Sequence, residues 1–294
     1  MTRDGRPLRK RRYWFSESFY IMANAEYAMA TGDEVCLETA RRYFRFIYGI
    51  YRDHDTDPYK ITPKSYAETR NTKSLAEPMI LLNVASIMRQ ADPENYDGYN
   101  DIITGLIADI RCFYKPEYRA TFECVDAVTN EVILGSALCR VINPGHDIEC
   151  AWFLLEEAQN RGDQELTAFA ARMFDDAFEL GWDKEYGGIT YFKDILGKPG
   201  EAYEHDMKLW WPHNEALIAS MMIYRDTRDE KYLDIFYQIL DYCKTYFADE
   251  YGEWYGYLRR DGKPTQPACK GHTYKGPFHV MRMLAKCMRL LENE

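Results

Sequence analysis

The chain has 294 residues, 46% hydrophobic and 29% charged, which is the composition of a globular protein rather than a disordered one. Its 37 basic and 47 acidic residues give a net charge of −10, which argues against nucleic acid or an anionic membrane surface as the partner. No apolar run reaches membrane-spanning length and no signal-peptide pattern is seen, and the eight scattered cysteines, with no Cys-x-x-Cys pair, read as reduced thiols of a cytoplasmic protein.

The opening, Met1 to Arg12, carries an Asp4-Gly5 turn signal and reads as the middle of a β-hairpin. Its basic cluster Arg9–Arg12 is too short to offset the acidic balance. Apolar periodicity predicts helices over Tyr13–Ala30 and Asp33–Arg52, then over about Ser74–Gln90 and Glu94–Tyr114. Two short β-like runs follow, Thr121–Ala127 and Glu131–Leu134. A fifth helix starts at His146, directly after Pro144-Gly145, and runs to Asn160; a sixth leaves the Arg161-Gly162-Asp163 turn and runs to Leu180. The seventh is expected over Glu204–Tyr224, the eighth over Asp229–Phe247, and the ninth from Phe278 almost to the end.

Two linkers, Trp182–Phe192 and Ala248–Tyr257, resemble each other, and each reads as a turn entering a small hairpin. The repeating unit is a helix, a short turn, a second helix and a longer loop. Helix pairs of this kind close into an all-α toroid, expected here as one domain over 1–294 with short β-hairpins in the long loops. A ring of six pairs needs more helices than are read here. With the hairpin-like start, this predicts a toroid incomplete at its N-terminus, whose first and last helices leave apolar faces uncovered. A smaller complete arrangement is the alternative.

Residues just after the long loops converge on the middle of such a ring. Three constellations lie there. His146, Glu149 and Trp152 recur at steps of three and share one helix face. Lys208-Leu-Trp-Trp-Pro-His213-Asn-Glu215 sets two indoles beside a cation, an imidazole and a carboxylate, with Trp211 and Glu215 on one face. His279 follows Gly276-Pro277 in the first turn of the last helix, as His146 follows Pro144-Gly145. A helix N-terminus favours the neutral imidazole, which is a competent base near pH 7. The plainer alternative is a set of satisfied core histidines and a packed aromatic belt. Tyr and Trp, abundant in a chain that is 15% aromatic, also suit stacking on sugar rings. His54 and His205 read as solvated, and His272 is given no role. A metal site from His146, Glu149, His213 and His279 has no supporting spacing, and no nucleotide-phosphate loop or dinucleotide fingerprint is present. The expectation is therefore no metal and no cofactor.

Several stretches together resemble the N-acylglucosamine 2-epimerase family. They are Phe15–Tyr20, Asn143–Glu149, Lys208–Glu215, Tyr251–Tyr257 with Arg260–Lys263, and Lys275–His279. The resemblance runs from Thr2 to the C-terminus. It implies an (α/α)6 barrel and a cofactor-free transfer of the proton at C2 of a sugar. Two catalytic histidines fall on His146 and His279, a histidine-supporting glutamate on Glu149, and sugar contacts on Trp211 and Glu215. Trp152, Lys208 and His213 complete the expected sugar-binding set. His213 points to N-acylhexosamines, because the related cellobiose 2-epimerases typically carry another residue there. The resemblance also implies a homodimer and a nucleotide effector. Nothing matches the family's substrate-contacting arginine segment before the hairpin, so weak activity is expected. The rival readings are another barrel carbohydrate enzyme, such as a cellobiose or mannose epimerase or a glycoside hydrolase with its carboxylate pair, and a non-catalytic sugar- or protein-binding member.

Overall fold

A computed structural model describes residues 3–4, 14–57 and 71–292. The hairpin expected around Gly5 and the basic cluster Arg9–Arg12 lie outside them. Among the described residues are nine helices: α1 Phe15–Thr31, α2 Glu34–Arg52, α3 Ala76–Ala91, α4 Tyr96–Arg111, α5 Pro144–Arg161, α6 Gln164–Gly181, α7 Trp210–Thr227, α8 Glu230–Tyr242 and α9 Phe278–Glu292. Eight short strands accompany them: β1 Thr72–Ser74, β2 Tyr114–Lys115, β3 Ala120–Thr121, β4 Cys124–Asp126, β5 Val141–Ile142, β6 Lys193–Asp194, β7 Lys208–Leu209 and β8 Tyr257–Leu258. The chain is thus all-α with small antiparallel pairs between helices. No helix among the described residues is long and apolar enough to cross a membrane.

The chain divides into two compact units. The first comprises Met1–Cys112 and Val125–Glu131, the second Phe113–Cys124 and Val132–Glu294. In the first, α1 packs on α2 and α3, and α3 on α4. Asp33 caps α2, accepting from the Val35 and Cys36 amides at 2.9 and 3.0 Å. The buried stripe Ala40, Phe44, Ile47, Ile50 of α2 repeats at helical spacing, while α1 leaves Phe19, Tyr20, Tyr27 and Met29 exposed.

In the second unit, α5 packs on α6 and α7, and α7 also on α8 and α9. Helices α5 and α7 are buried around nearly their whole circumference for most of their length, so they are interior elements; α6 and α8 bury one face only. Helix α9 buries Met283 and Cys287 and leaves Met281, Leu284, Met288 and Leu291 exposed on a stripe of three- and four-residue steps.

Helix α7 begins six residues later than its periodicity predicts. Pro212 has no amide to donate and is accommodated only in the first turn, so the helix starts at Trp210. Lys208 and Leu209 are instead drawn into β7, paired with Leu258 and Tyr257 of β8. The second linker therefore pairs with the approach to α7, and it also enters a small hairpin in which Leu258 is bridged to Pro264. The first folds on itself, with Trp182 bridged to Ile189. Helix α8 ends at Tyr242, and Cys243–Phe247 wind into a π-helical turn where α-helix was expected. The run Glu131–Leu134 is not a strand.

Candidate active site

All the site geometry lies in the second unit. Asn143 caps α5, its Oδ1 accepting from the His146 amide at 3.2 Å, and Pro144 occupies the first helical position. His146 is thereby fixed in the first turn, with 28% of its side chain exposed. Its Nδ1 lies 2.9 Å from Oε1 of Glu123, in the short link between β3 and β4. Burial works against the protonated ring, but the charge and hydrogen bond of Glu123, joined by the charge of Glu149, hold the His146 pKa above its ordinary value. Asp147, next along the helix, is buried and has no hydrogen-bond partner for either oxygen among the described residues. Burial, then the charge of Glu123, raise its pKa well above the ordinary aspartate value.

His279 occupies the first turn of α9, with 21% of its side chain exposed, and its Nδ1 lies 2.7 Å from Oε1 of Glu215. Oε2 of Glu215 accepts from Trp152 Nε1 and from Arg282, each at 2.8 Å. Arg282 also pairs with Glu149 and lies over the rings of Phe278 and Trp152, at 4.5 and 5.0 Å. Burial alone would raise the Glu215 pKa, yet the charge of Arg282 and the bond from His279 hold it well below the usual carboxylate range. An ionised carboxylate only accepts, so His279 donates to it through Nδ1.

Trp211 stands beside both imidazoles. Its ring centre is 5.2 Å from that of His146 and 5.8 Å from that of His279. This approach requires Gly145, because a Cβ there would lie 2.6 Å from the Trp211 ring and 2.9 Å from Pro212.

Five of the eight expected site residues sit differently from their expected roles. Glu149 holds Arg282 rather than a histidine; the carboxylates on the two histidines are Glu123 and Glu215. Glu215 is itself wholly buried with both oxygens engaged, so it has no open face for a sugar. Trp152 is also fully buried, its indole N–H given to Glu215. His213 has Nδ1 on the Leu209 carbonyl at 2.7 Å and accepts at Nε2 from the Ile189 amide at 2.9 Å, and it stacks on Tyr242. Burial pushes its pKa down to about 3, so it is a neutral core histidine. Lys208 is buried against Asp183 at 2.8 Å, a carboxylate shared with Arg260. Its side chain leaves the opposite face of β7 from that of Leu209, which follows from strand alternation. Glu123 and Arg282 were not singled out from sequence. Arg282 follows His279 by three residues, as Glu149 follows His146, and that spacing is a readable signal.

Oxygen and nitrogen atoms of Glu149, Glu215 and His279 come within 4.8 Å of one another, an arrangement that could hold a cation. The Arg282 guanidinium already bonds both carboxylates and supplies that positive charge.

Comparison with known proteins adds to this geometry. The N-acylglucosamine 2-epimerase (GlcNAc 2-epimerase) family model matches residues 1–281. The N-acylglucosamine 2-epimerase of Bos taurus is 39% identical over 303 residues, covering 100% of this chain and 68% of its own. That of Homo sapiens is 37% identical over 294 residues, covering 99% and 67%. Among solved structures, the cellobiose 2-epimerase from Spirochaeta thermophila DSM 6192 matches with a TM-score of 0.80 at 21% identity, over 99% of this chain and 73% of that one. The shared fold is the (α/α)6 barrel.

Replacing Arg282 by Leu leaves Glu149 and Glu215 as uncompensated buried charges, and the expected cost at pH 7 is about 3–5 kcal/mol. The lowered Glu215 pKa contributes stability that is complete above the unfolded glutamate value, near about 4.3, and is lost as the pH falls through the lower native value. The gap between wild-type and variant melting temperatures should therefore narrow below about pH 4. A gap absent at pH 7, or unchanged on acidification, would contradict the charge assignment.

Proposed function

Because the chain belongs to the N-acylglucosamine 2-epimerase family, it is a carbohydrate epimerase, and we propose that it interconverts N-acyl-D-glucosamine and N-acyl-D-mannosamine by moving the proton at C2 through His146 and His279. The observation that carries this reading is the pair of partly exposed imidazoles against one indole, each with Nδ1 tied to a carboxylate and Nε2 left for substrate.

The chemistry follows from these parts. The pyranose opens, making the C2 proton α to an aldehyde. One imidazole Nε2 removes that proton, leaving an enediol or enediolate that is planar at C2. The other imidazole delivers a proton to the opposite face, and the configuration inverts. In the direction in which His279 is the base, Glu215 fixes its ring through Nδ1 and leaves Nε2 for the substrate. His146, whose raised pKa favours the protonated ring, returns a proton. The roles exchange in reverse. Trp211 offers a flat apolar face for the sugar's C–H groups. The eight cysteines, free as thiols, suit a reducing cytoplasm.

His146→Asn and His279→Asn should each lower epimerisation at least about a hundredfold while preserving the melting temperature, since each removes one of two non-redundant proton carriers. Near-normal turnover in either variant would sink the mechanism.

Exhaustive chelation should leave turnover unchanged, because Arg282 already neutralises the carboxylates that a metal would use. Loss with EDTA and recovery with a divalent ion would assign Glu149, Glu215 and His279 to that ion.

The homodimer and the nucleotide effector enter the proposal on family grounds alone. Sedimentation and turnover measured with and without ATP should give the mass of a dimer and a nucleotide-dependent rate. A monomer indifferent to ATP would remove both.

A further inference from the structure

Beside Trp211 lies a group of polar side chains that the proton-transfer chemistry does not use. Thr190 bridges Lys208, and the Tyr191 amide donates to the Met207 carbonyl at 3.0 Å, so the Tyr191 segment runs antiparallel along the approach to α7. On the other side of that segment, Leu209 of β7 pairs with Tyr257 of β8. Strand alternation then sorts the side chains. Thr190, Lys208 and Leu258 share one face and are all buried. Tyr191, Met207, Leu209 and Tyr257 share the other.

Tyr191 meets Trp211 edge to face at 6.2 Å, and the Tyr257 ring lies 6.0 Å from Trp210. Neither phenol oxygen, nor the carboxylate of the half-buried Glu204, has a hydrogen-bond partner among the described residues. Glu204 and Tyr274 act electrostatically on both phenols, and Glu123, the partner of His146, acts on Tyr191. Burial, reinforced by these neighbours, raises both phenol pKa values, so both remain hydroxyl donors at neutral pH.

Two half-buried hydroxyls beside the Trp210–Trp211 indoles, with the half-buried Glu204 carboxylate acting on both, match the chemistry of a polyol. Each sugar hydroxyl both donates and accepts. An acyl carbonyl only accepts and offers nothing to Glu204. We propose that Tyr191, Glu204 and Tyr257 form a polyol-reading subsite that holds the C4–C6 hydroxyls of the open-chain sugar while C2 lies at the histidines. This rests on the epimerase reading above. The three residues are substrate contacts for the tail and take no part in proton transfer.

The probes are N-acetylglucosaminitol, the reduced open-chain sugar, and 2-acetamido-1,3-propanediol, which keeps the head and lacks the tail. Their affinities are measured by calorimetry on the full chain, beside KM and kcat for epimerisation. Tyr191→Phe and Tyr257→Phe should each weaken the alditol about three- to tenfold, and Glu204→Gln about tenfold or more, as expected for neutral and charge-assisted hydrogen bonds. KM should rise by the same factors, with kcat nearly unchanged and affinity for the short diol unaltered. Unchanged alditol affinity in all three variants, or an equal loss for the short diol, would overturn the subsite while leaving the epimerase reading intact. A wild-type chain that binds neither probe and exchanges no C2 proton would remove the epimerase reading, and the subsite with it.

Discussion

The second unit depends on a carboxylate that has no contact with water. Glu215 is ionised in the interior, a state tolerated only when the charge is paired and its lone pairs are used. Arg282, His279 and Trp152 do both. Because Arg282 also grips Glu149, one guanidinium ties α5, α7 and α9 together.

Much of this was legible in the sequence, because helix starts have strong local chemistry. Asn143-Pro144-Gly145 and Gly276-Pro277 announce where α5 and α9 begin, and those starts fix His146 and His279. Steps of three also brought Glu149 and Trp152 to the same face. What periodicity could not supply was the partner of each side chain. Glu149 and Trp152 are three apart on α5, yet they meet Arg282 and Glu215, far away in the chain. Glu123 sits in an irregular link between two short strands, where no period exists to mark it.

The segment before α7 was misread for a definite reason. The helical pattern that starts at Trp210 was extended back over the polar run Glu204–Leu209, but Pro212 forces the helix to start late. The preceding residues then pair as a strand, and a period of two replaces one of 3.6. Under that period Lys208 and Leu209 diverge, which turns the lysine toward Asp183 and away from the cleft. His213 passed as a site residue because its motif neighbours are unusual, but its two ring nitrogens serve the backbone.

The contacts that complete the cleft are very distant along the chain. His279 and Glu215 are separated by 64 positions, and Arg282 and Glu149 by 133. Contacts of such separation carry a large loop-closure entropy and form slowly, after local helix pairs are in place. Helix α9 thus brings both His279 and the neutralising guanidinium. Until it docks, α5 and α7 hold Glu149 and Glu215 without a counter-charge, and those acids resist desolvation. Closure of the interior is in this way coupled to the docking of α9, and proton-transfer competence would arise with that one step rather than by degrees.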